Sequence, residues 1–269
     1  MFAGSSATIR AVKISAVIIA RDEETKVGDA VRSVGWADEV LVVDSESTDR
    51  TREIAADLGA RVIVSPWPGF AVQKQIGVDA AENDWIFSLD ADERVSAELR
   101  GEILKLKRVS EATLAAGYRL PRLANYIGKP VHHGGWYPDW QLRLFDRRRG
   151  RWSDRIIHES WQVNDGERVE KLAGDILHYS VDSLEQHEDM IRTRYAPLGA
   201  RQMFASGKRT SRIRIATAGP AAFLGTYILK AGFLDGSAGW HIARFAARHA
   251  RLKHEILWDM QNGTADGHR

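Results

Sequence analysis

The residues best placed to do chemistry in this chain are two aspartates, Asp90 and Asp92, in the run Leu89-Asp-Ala-Asp-Glu93. Carboxylates two residues apart on a turn leaving a strand can hold a hard divalent cation, Mg²⁺ or Mn²⁺, through oxygen ligands. A cation held there bridges diphosphate oxygens and neutralises charge developing on a leaving group. The plainer alternative is a solvated turn, since two aspartates at this spacing also arise by chance. Position at the end of a buried strand favours the metal. A second signal is Val43-Asp-Ser-Glu-Ser-Thr-Asp49. Here Asp44, followed by Ser45, can accept hydrogen bonds from a ribose or a base N–H, while Asp49 suits a helix N-cap.

Several other chemistries are excluded. Cysteine is absent, which removes disulfides, thiolate metal sites and cysteine nucleophiles. The first strand ends in Ala20-Arg-Asp-Glu-Glu24 and not in G-x-G-x-x-G, and no G-x-x-x-x-G-K-[ST] occurs. Both glycine-rich phosphate cradles are therefore missing, and phosphate binding passes to a metal. His132, His133, His158 and His178 do not follow zinc spacing and read as hydrogen-bonding residues. Trp136, Tyr137, Trp140, Trp152 and Trp161 form a dense aromatic group, suited to core packing or to stacking on a sugar ring. The run Arg147-Arg148-Arg149 reads as a solvated turn ending at Gly150.

Those carboxylates need a scaffold, and hydrophobic periodicity supplies one. Short apolar, β-branched runs at 14–20, 39–44, 61–64 and 85–89 read as buried strands. Helical spacing falls between them over 23–34, 49–58 and 70–81. Alternating strands and helices imply right-handed βαβ units and a parallel α/β sheet. Such sheets bind ligands beyond the carboxyl ends of their strands. Three of those ends carry polar clusters, Arg21-Asp22-Glu23, Asp44-Ser45 and Asp90 to Glu93. From 118 to 179 the texture becomes α+β, and from Asp182 onward it turns helical.

Charge is uneven along the chain. Residues 1–200 hold 27 Lys and Arg against 32 Asp and Glu, a balance of −5; residues 201–257 hold 10 against 2, a balance of +8. The basic segment sets Ile242, Phe245, Leu252 and Ile256 on one helical face. That pattern fits either packing on the catalytic domain or peripheral contact with an anionic inner membrane. No stacking platform accompanies the charge, so nucleic acid is not expected. The start of the chain lacks a signal-peptide apolar stretch and 219–229 is too short to span a bilayer, so the expected location is cytoplasmic.

Ile18-Ile-Ala-Arg-Asp-Glu-Glu24, Val42-Val-Asp-Ser-Glu-Ser-Thr-Asp49, Phe70-Ala-Val-Gln-Lys-Gln75 and Trp85-Ile-Phe-Ser-Leu-Asp-Ala-Asp-Glu93 resemble inverting glycosyltransferase family 2. Trp136-Tyr-Pro-Asp-Trp-Gln-Leu-Arg-Leu-Phe145 and Ile157-His-Glu159 resemble its bacterial lipopolysaccharide-core β-glucosyltransferase branch. The resemblance implies a GT-A fold over 13–205, with 206–258 as a basic helical extension. It implies donor contacts from Ala20, Asp22, Glu23, Asp44, Ser45, Lys74, Asp90 and Arg143, with Asp92 as principal metal ligand assisted by Asp90. Two positions depart from the family pattern: Asp22 stands where Asn is usual, and Gln75 where Asn commonly follows the lysine. Inversion needs a general base for the acceptor hydroxyl, for which Glu159 is the first candidate and Asp139 the second. Each has a plainer role, Glu159 pairing with Arg155 and Asp139 capping a turn. The implied donor is a UDP-hexose, with glucose suggested by resemblance alone. The implied acceptor is a lipid-linked envelope saccharide such as the lipopolysaccharide inner core. A peptide or polyprenyl phosphate acceptor, a metal-dependent nucleotidyltransferase and a non-catalytic binding module are the alternatives.

Overall fold

The computed structural model describes residues 11–152 and 160–263. Two compact units form among them. One takes the described residues up to Arg122 and those from Asp139 to His178; the other takes Leu123–Pro138 and those from Tyr179 onward. This division follows contacts, whereas the boundary at 205 comes from the family resemblance.

The first unit opens with β1 (Ile14–Ala20), α1 (Val27–Ser33), β2 (Glu39–Asp44), α2 (Thr51–Asp57), β3 (Arg61–Val64), α3 (Phe70–Ala80) and β4 (Trp85–Asp90). The strands lie in the order β3-β2-β1-β4 and all run parallel. Every residue of β1 is buried, as a central parallel strand covered on both faces requires. Its alternate residues serve two cores. Ile14, Ala16 and Ile18 pack with Val27, Val31 and Phe87 on one face, and Val17 and Ile19 with Leu41, Val43 and Ile86 on the other. Gly77 of α3 makes the second face possible, because a Cβ there would come 2.2 Å from Val17 Cγ1. Pairing places Ala20 opposite Asp44 and Ile19 opposite Asp90, so three strands end abreast with their carboxylates. One expected element is shorter: Glu23 to Lys26 forms a turn, and α1 begins only at Val27.

Next come β5 (Glu93–Val95), α4 (Ala97–Leu106), β6 (Gly117–Tyr126), β7 (Lys129–Pro130), β8 (Asp139–Asp146), β9 (Gly150–Trp152), β10 (Trp161–Val163), β11 (Val169–Lys171) and β12 (Ile176–Val181). β8 runs antiparallel to β4, with Trp85 opposite Asp146 and Phe87 opposite Leu144. Its start therefore returns to the carboxyl end of the parallel strands, carrying Asp139 and Arg143. The first part of β6 pairs with β8, setting Arg122 opposite Asp139, and β12 pairs with β5, setting His178 opposite Glu93.

The second unit is mainly helical: α5 (Leu184–Met190), α6 (Ala196–Ala205), α7 (Arg212–Leu224) and α8 (Gly236–Asn262). Ser183 and Ser211 cap α5 and α7 by accepting the N–H of Gln186 and of Arg214. Tyr126, Val131, Val181, Ala238 and Ile242 form its core, with Trp136 and Leu184 against them. The stripe expected on α8 faces inward within this unit: Ile242 is buried, and Phe245 packs on the His187 ring at 4.3 Å between centroids. Among the described residues no helix is long and apolar enough to cross a membrane.

Candidate active site

The ends of β1 and β2 are stitched together by short polar side chains. Asp44 is fully buried, and its two carboxylate oxygens accept from Ser47, one from the backbone N–H at 2.9 Å and one from the hydroxyl. Arg52 lies 3.7 Å from it. Ser47 Oγ in turn accepts the Asp22 N–H at 2.9 Å, and Asp22 Oδ1 accepts the Thr48 N–H at 2.8 Å. Asp22 has φ of +53°, a region that Asp and Asn enter far more readily than other side chains. That tolerance is the physical reason Asp can stand where the family pattern has Asn. Asp49 is not the N-cap of α2, a position taken by Arg50; it sits one residue earlier and accepts the N–H of Thr51 and that of Glu24, both at 3.0 Å. Glu23 is held through its N–H on Thr51 Oγ1 at 2.8 Å, and Ala20 O accepts the Ser45 N–H at 2.9 Å.

At the end of β4 the chain gathers charge. Arg143 Nη2 donates to Asp90 Oδ2 and to Glu93 Oε1, both at 2.9 Å, and Lys74 Nζ lies 3.2 Å from Asp90 Oδ1. Lys74, Arg143 and Glu93 are all buried. Burial alone would raise the Asp90 carboxyl, but Arg143 and then Lys74 outweigh it and hold the group well below the usual carboxylate range. Arg122, which carries no motif in the sequence, joins Glu93 Oε1 at 3.2 Å to Asp139 Oδ2 at 2.6 Å. Lys74, Asp90, Arg122 and Arg143 line a cleft of about 190 Å³ together with Gln141, Leu142, Trp152 and Ser160. Its lining sets three cations, Lys74, Arg122 and Arg143, against one carboxylate, Asp90, a surface suited to an anionic ligand.

Asp92 stands apart from that network. His178 Nε2 lies 3.3 Å from Asp92 Oδ2. Burial would lower the His178 pKa, but the bond to Asp92 outweighs it and the imidazole is raised from its ordinary value. Asp92 and His178 together offer oxygen and nitrogen donors compatible with Mg²⁺ or Mn²⁺, provided further ligands come from a bound diphosphate. Among the described residues no group of three His, Cys, Asp or Glu forms a complete cage. Asp90 fits a metal less well, since both its oxygens are already paired with Arg143 and Lys74.

The remaining candidates fall elsewhere. Asp139 has one oxygen on Arg122 and the other accepting from Gln141 Nε2 at 2.8 Å. Glu159, with Arg155 and His158, lies outside the described residues. Trp152 and Trp161 are buried against Phe145, the latter stacked at 3.9 Å, so they are core residues. Trp140 carries Lys171 Nζ over its ring at 4.2 Å. The three arginines 147–149 do not form a loose solvated turn. Arg147 and Arg148 both bind Asp84, Arg148 also binds Asp146 and Glu111, and Arg149 binds Glu167. In the second unit, His133 Nδ1 bonds Asp235 at 2.8 Å and the His132 N–H donates to the same carboxylate. Glu93 and His178 were visible in sequence without a site role. Each is assigned one only by strand pairing.

A mixed sheet whose four leading strands are parallel, with flanking helices and its polar residues at their carboxyl ends, defines an α/β protein of GT-A-like architecture. The model of glycosyl transferase family 2 matches residues 15–172, and the chain belongs to that family. An uncharacterized glycosyltransferase of Rickettsia typhi is 34% identical over 236 residues, covering 85% of this chain and 80% of that protein. The lipopolysaccharide core biosynthesis glycosyltransferase LpsC of Rhizobium meliloti is 30% identical over 246 residues, covering 89% of each. Among solved structures, glucosyl-3-phosphoglycerate synthase of Mycobacterium tuberculosis with Mn²⁺, UDP-glucose and glycerol 3-phosphate matches at 29% identity and a TM-score of 0.29. That match covers 30% of this chain and 34% of that one, about a third of its length.

Proposed function

We propose that this family 2 glycosyltransferase moves a hexose, glucose in the first instance, from a UDP-sugar to a hydroxyl of a lipid-linked envelope saccharide, inverting the anomeric centre. The observation that carries the proposal is the Asp90–Lys74–Arg143 cluster beside Asp92 and His178 at the end of β4. Buried cations close to a carboxylate–imidazole pair able to bind a metal support a diphosphate site at this strand end. The relation to LpsC, matched over most of both chains, supports a lipopolysaccharide inner-core acceptor.

In this reading Asp92 and His178 would hold Mg²⁺ or Mn²⁺, which would supply counter-charge for a departing diphosphate. Lys74, held by Asp90, and Arg143, held by Asp90 and Glu93, would add positive charge for the same diphosphate. The Asp22–Ser47–Asp44 stitch shapes the nucleoside side, with Ala20, Glu23 and Ser45 alongside; Asp44 reaches a base or ribose only if Ser47 releases it. The acceptor oxygen attacks the anomeric carbon as the sugar–diphosphate bond breaks, and its proton passes to a carboxylate, Glu159 or Asp139.

Calorimetric titration with UDP, GDP and CMP in the presence of Mn²⁺ tests the donor assignment. UDP should bind best, and Asp92→Ala should weaken it without unfolding the protein. Equal affinity for all three nucleotides, or none, would remove the uridine donor.

A further inference from the structure

The second unit carries an exposed apolar surface that the site does not use. α7 continues without interruption into a π-helical turn, Gly225–Leu229, and the chain from Ile215 to Leu229 contains no charged residue. Leu224 and Ile228 lie one turn apart and are exposed. Beyond them Leu229 is 83% exposed and Leu234 60%, with Phe233 and, on α8, Trp240 exposed beside them. Large aliphatic side chains this open gain nothing from the fold.

The exposed charge around this surface is positive; Asp235, which ends the turn carrying Phe233 and Leu234, is 5% exposed and paired with His133. From Met190 to Leu234 the chain holds eight Lys and Arg and no Asp or Glu. Arg212 and Arg214 stand at the start of α7 and Lys230 at its far end, all exposed. An uncharged helix bracketed by cations, with an aromatic residue at its rim, is the pattern of an element lying in a membrane interface. The Arg212–Leu229 segment is rich in Gly, Ala and Thr and shorter than the ~20 apolar residues a span requires, so it lies on a bilayer and not across it. A second copy of this chain is a poor occupant, because pairing the same faces would bring like charges together.

We infer that the end of the α7–α8 hairpin docks on an anionic lipid surface. Leu229, Phe233 and Leu234 enter the headgroup–acyl boundary, Trp240 sits at its edge, and Lys230 meets lipid phosphates, while Arg212 and Arg214 at the other end of α7 add longer-range attraction. The inference rests on this surface alone and holds whatever sugar the enzyme transfers.

Co-sedimentation of the full chain with vesicles tests it without any need for turnover. Phosphatidylcholine vesicles containing phosphatidylglycerol should bind the protein, and phosphatidylcholine alone should bind it far less. Binding should weaken steeply with salt, since exposed charges are screened beyond ~8 Å at physiological ionic strength. Leu229→Ser with Leu234→Ser removes exposed side chains, so the melting temperature should hold while partitioning falls about tenfold or more. Lys230→Gln, an independent variant, should lower binding to anionic vesicles about fivefold. The inference is overturned by equal binding to neutral and anionic vesicles, by no binding to either, or by undiminished binding of both variants. A concentration-dependent dimer that the leucine variant dissolves, with no vesicle binding, would assign the surface to self-association and overturn it too.

Discussion

Replacing Glu93 by Gln removes one charge from the most buried part of the site while keeping its shape. The Glu93 side chain is fully buried and pairs with Arg143, itself 4% exposed, at 2.9 Å and with Arg122 at 3.2 Å. It also accepts the Asp90 N–H at 3.0 Å. Gln can keep that backbone bond, but its amide would turn a donor toward guanidinium donors. Breaking a buried pair from one side typically costs ~3–5 kcal/mol, because a charge is left without its partner. At ~2–4 °C per kcal/mol for proteins near this size, the melting temperature should drop by roughly 6–20 °C. Removing Arg143 as well relieves the stranded charge, so Glu93→Gln/Arg143→Met should lose clearly less than the two single losses added together. Calorimetry or circular dichroism on the four proteins reads both quantities. A Glu93→Gln melt within about 2 °C of wild type, or strict additivity in the double variant, would refute the view that Glu93 and Arg143 act as one unit.

Asp92→Ala should abolish metal-dependent turnover while leaving the melting temperature nearly unchanged; wild-type turnover that survives complete chelation would sink the metal assignment. For the base, Glu159→Gln should slow transfer by ~10²–10⁴-fold with donor binding intact. Normal turnover there, with loss in Asp139→Asn, would reverse the ranking. In the second unit, burial pushes the His187 imidazole down from 6.5 to about 4. The folded state then binds fewer protons than the unfolded one between those values, so stability is full above ~6.5 and falls as pH drops toward 4, by on the order of 3 kcal/mol. Urea midpoints across that range should show the slope in wild type and a flatter one in His187→Phe, and equal slopes would assign the acid loss to other groups.

The parallel half of the sheet was legible because buried β-branched runs announce themselves without knowledge of their partners. β1, β2, β3 and β4 fall where periodicity places them, and their carboxylate ends mark the site. The ion network was not legible. Arg122 and His178 reach the β4 end only because β6 pairs with β8 and β12 with β5, and strand pairing leaves no local trace in residue spacing. Asp44 shows the same limit from the other side: its type and position were plain, but its commitment to Ser47 depends on how the loop folds back. The arginines 147–149 read as solvated because acids 84, 111 and 167, which hold them, are distant in sequence. On α8 the periodic stripe was real, yet it faces the unit's own core, and the exposed apolar surface lies at the end of α7, on the turns after it and at Trp240 near the start of α8.

The central claim is that a UDP-sugar is cleaved at this cluster with help from a divalent cation. Incubating the protein with a panel of nucleotide sugars and a lipopolysaccharide core acceptor, with and without Mn²⁺, and measuring nucleoside diphosphate release tests it most directly. The account predicts UDP release from a UDP-hexose only when Mn²⁺ or Mg²⁺ is present, and its loss in Asp92→Ala. Release of pyrophosphate in place of a nucleoside diphosphate, or metal-independent release from a non-uridine donor, would contradict it.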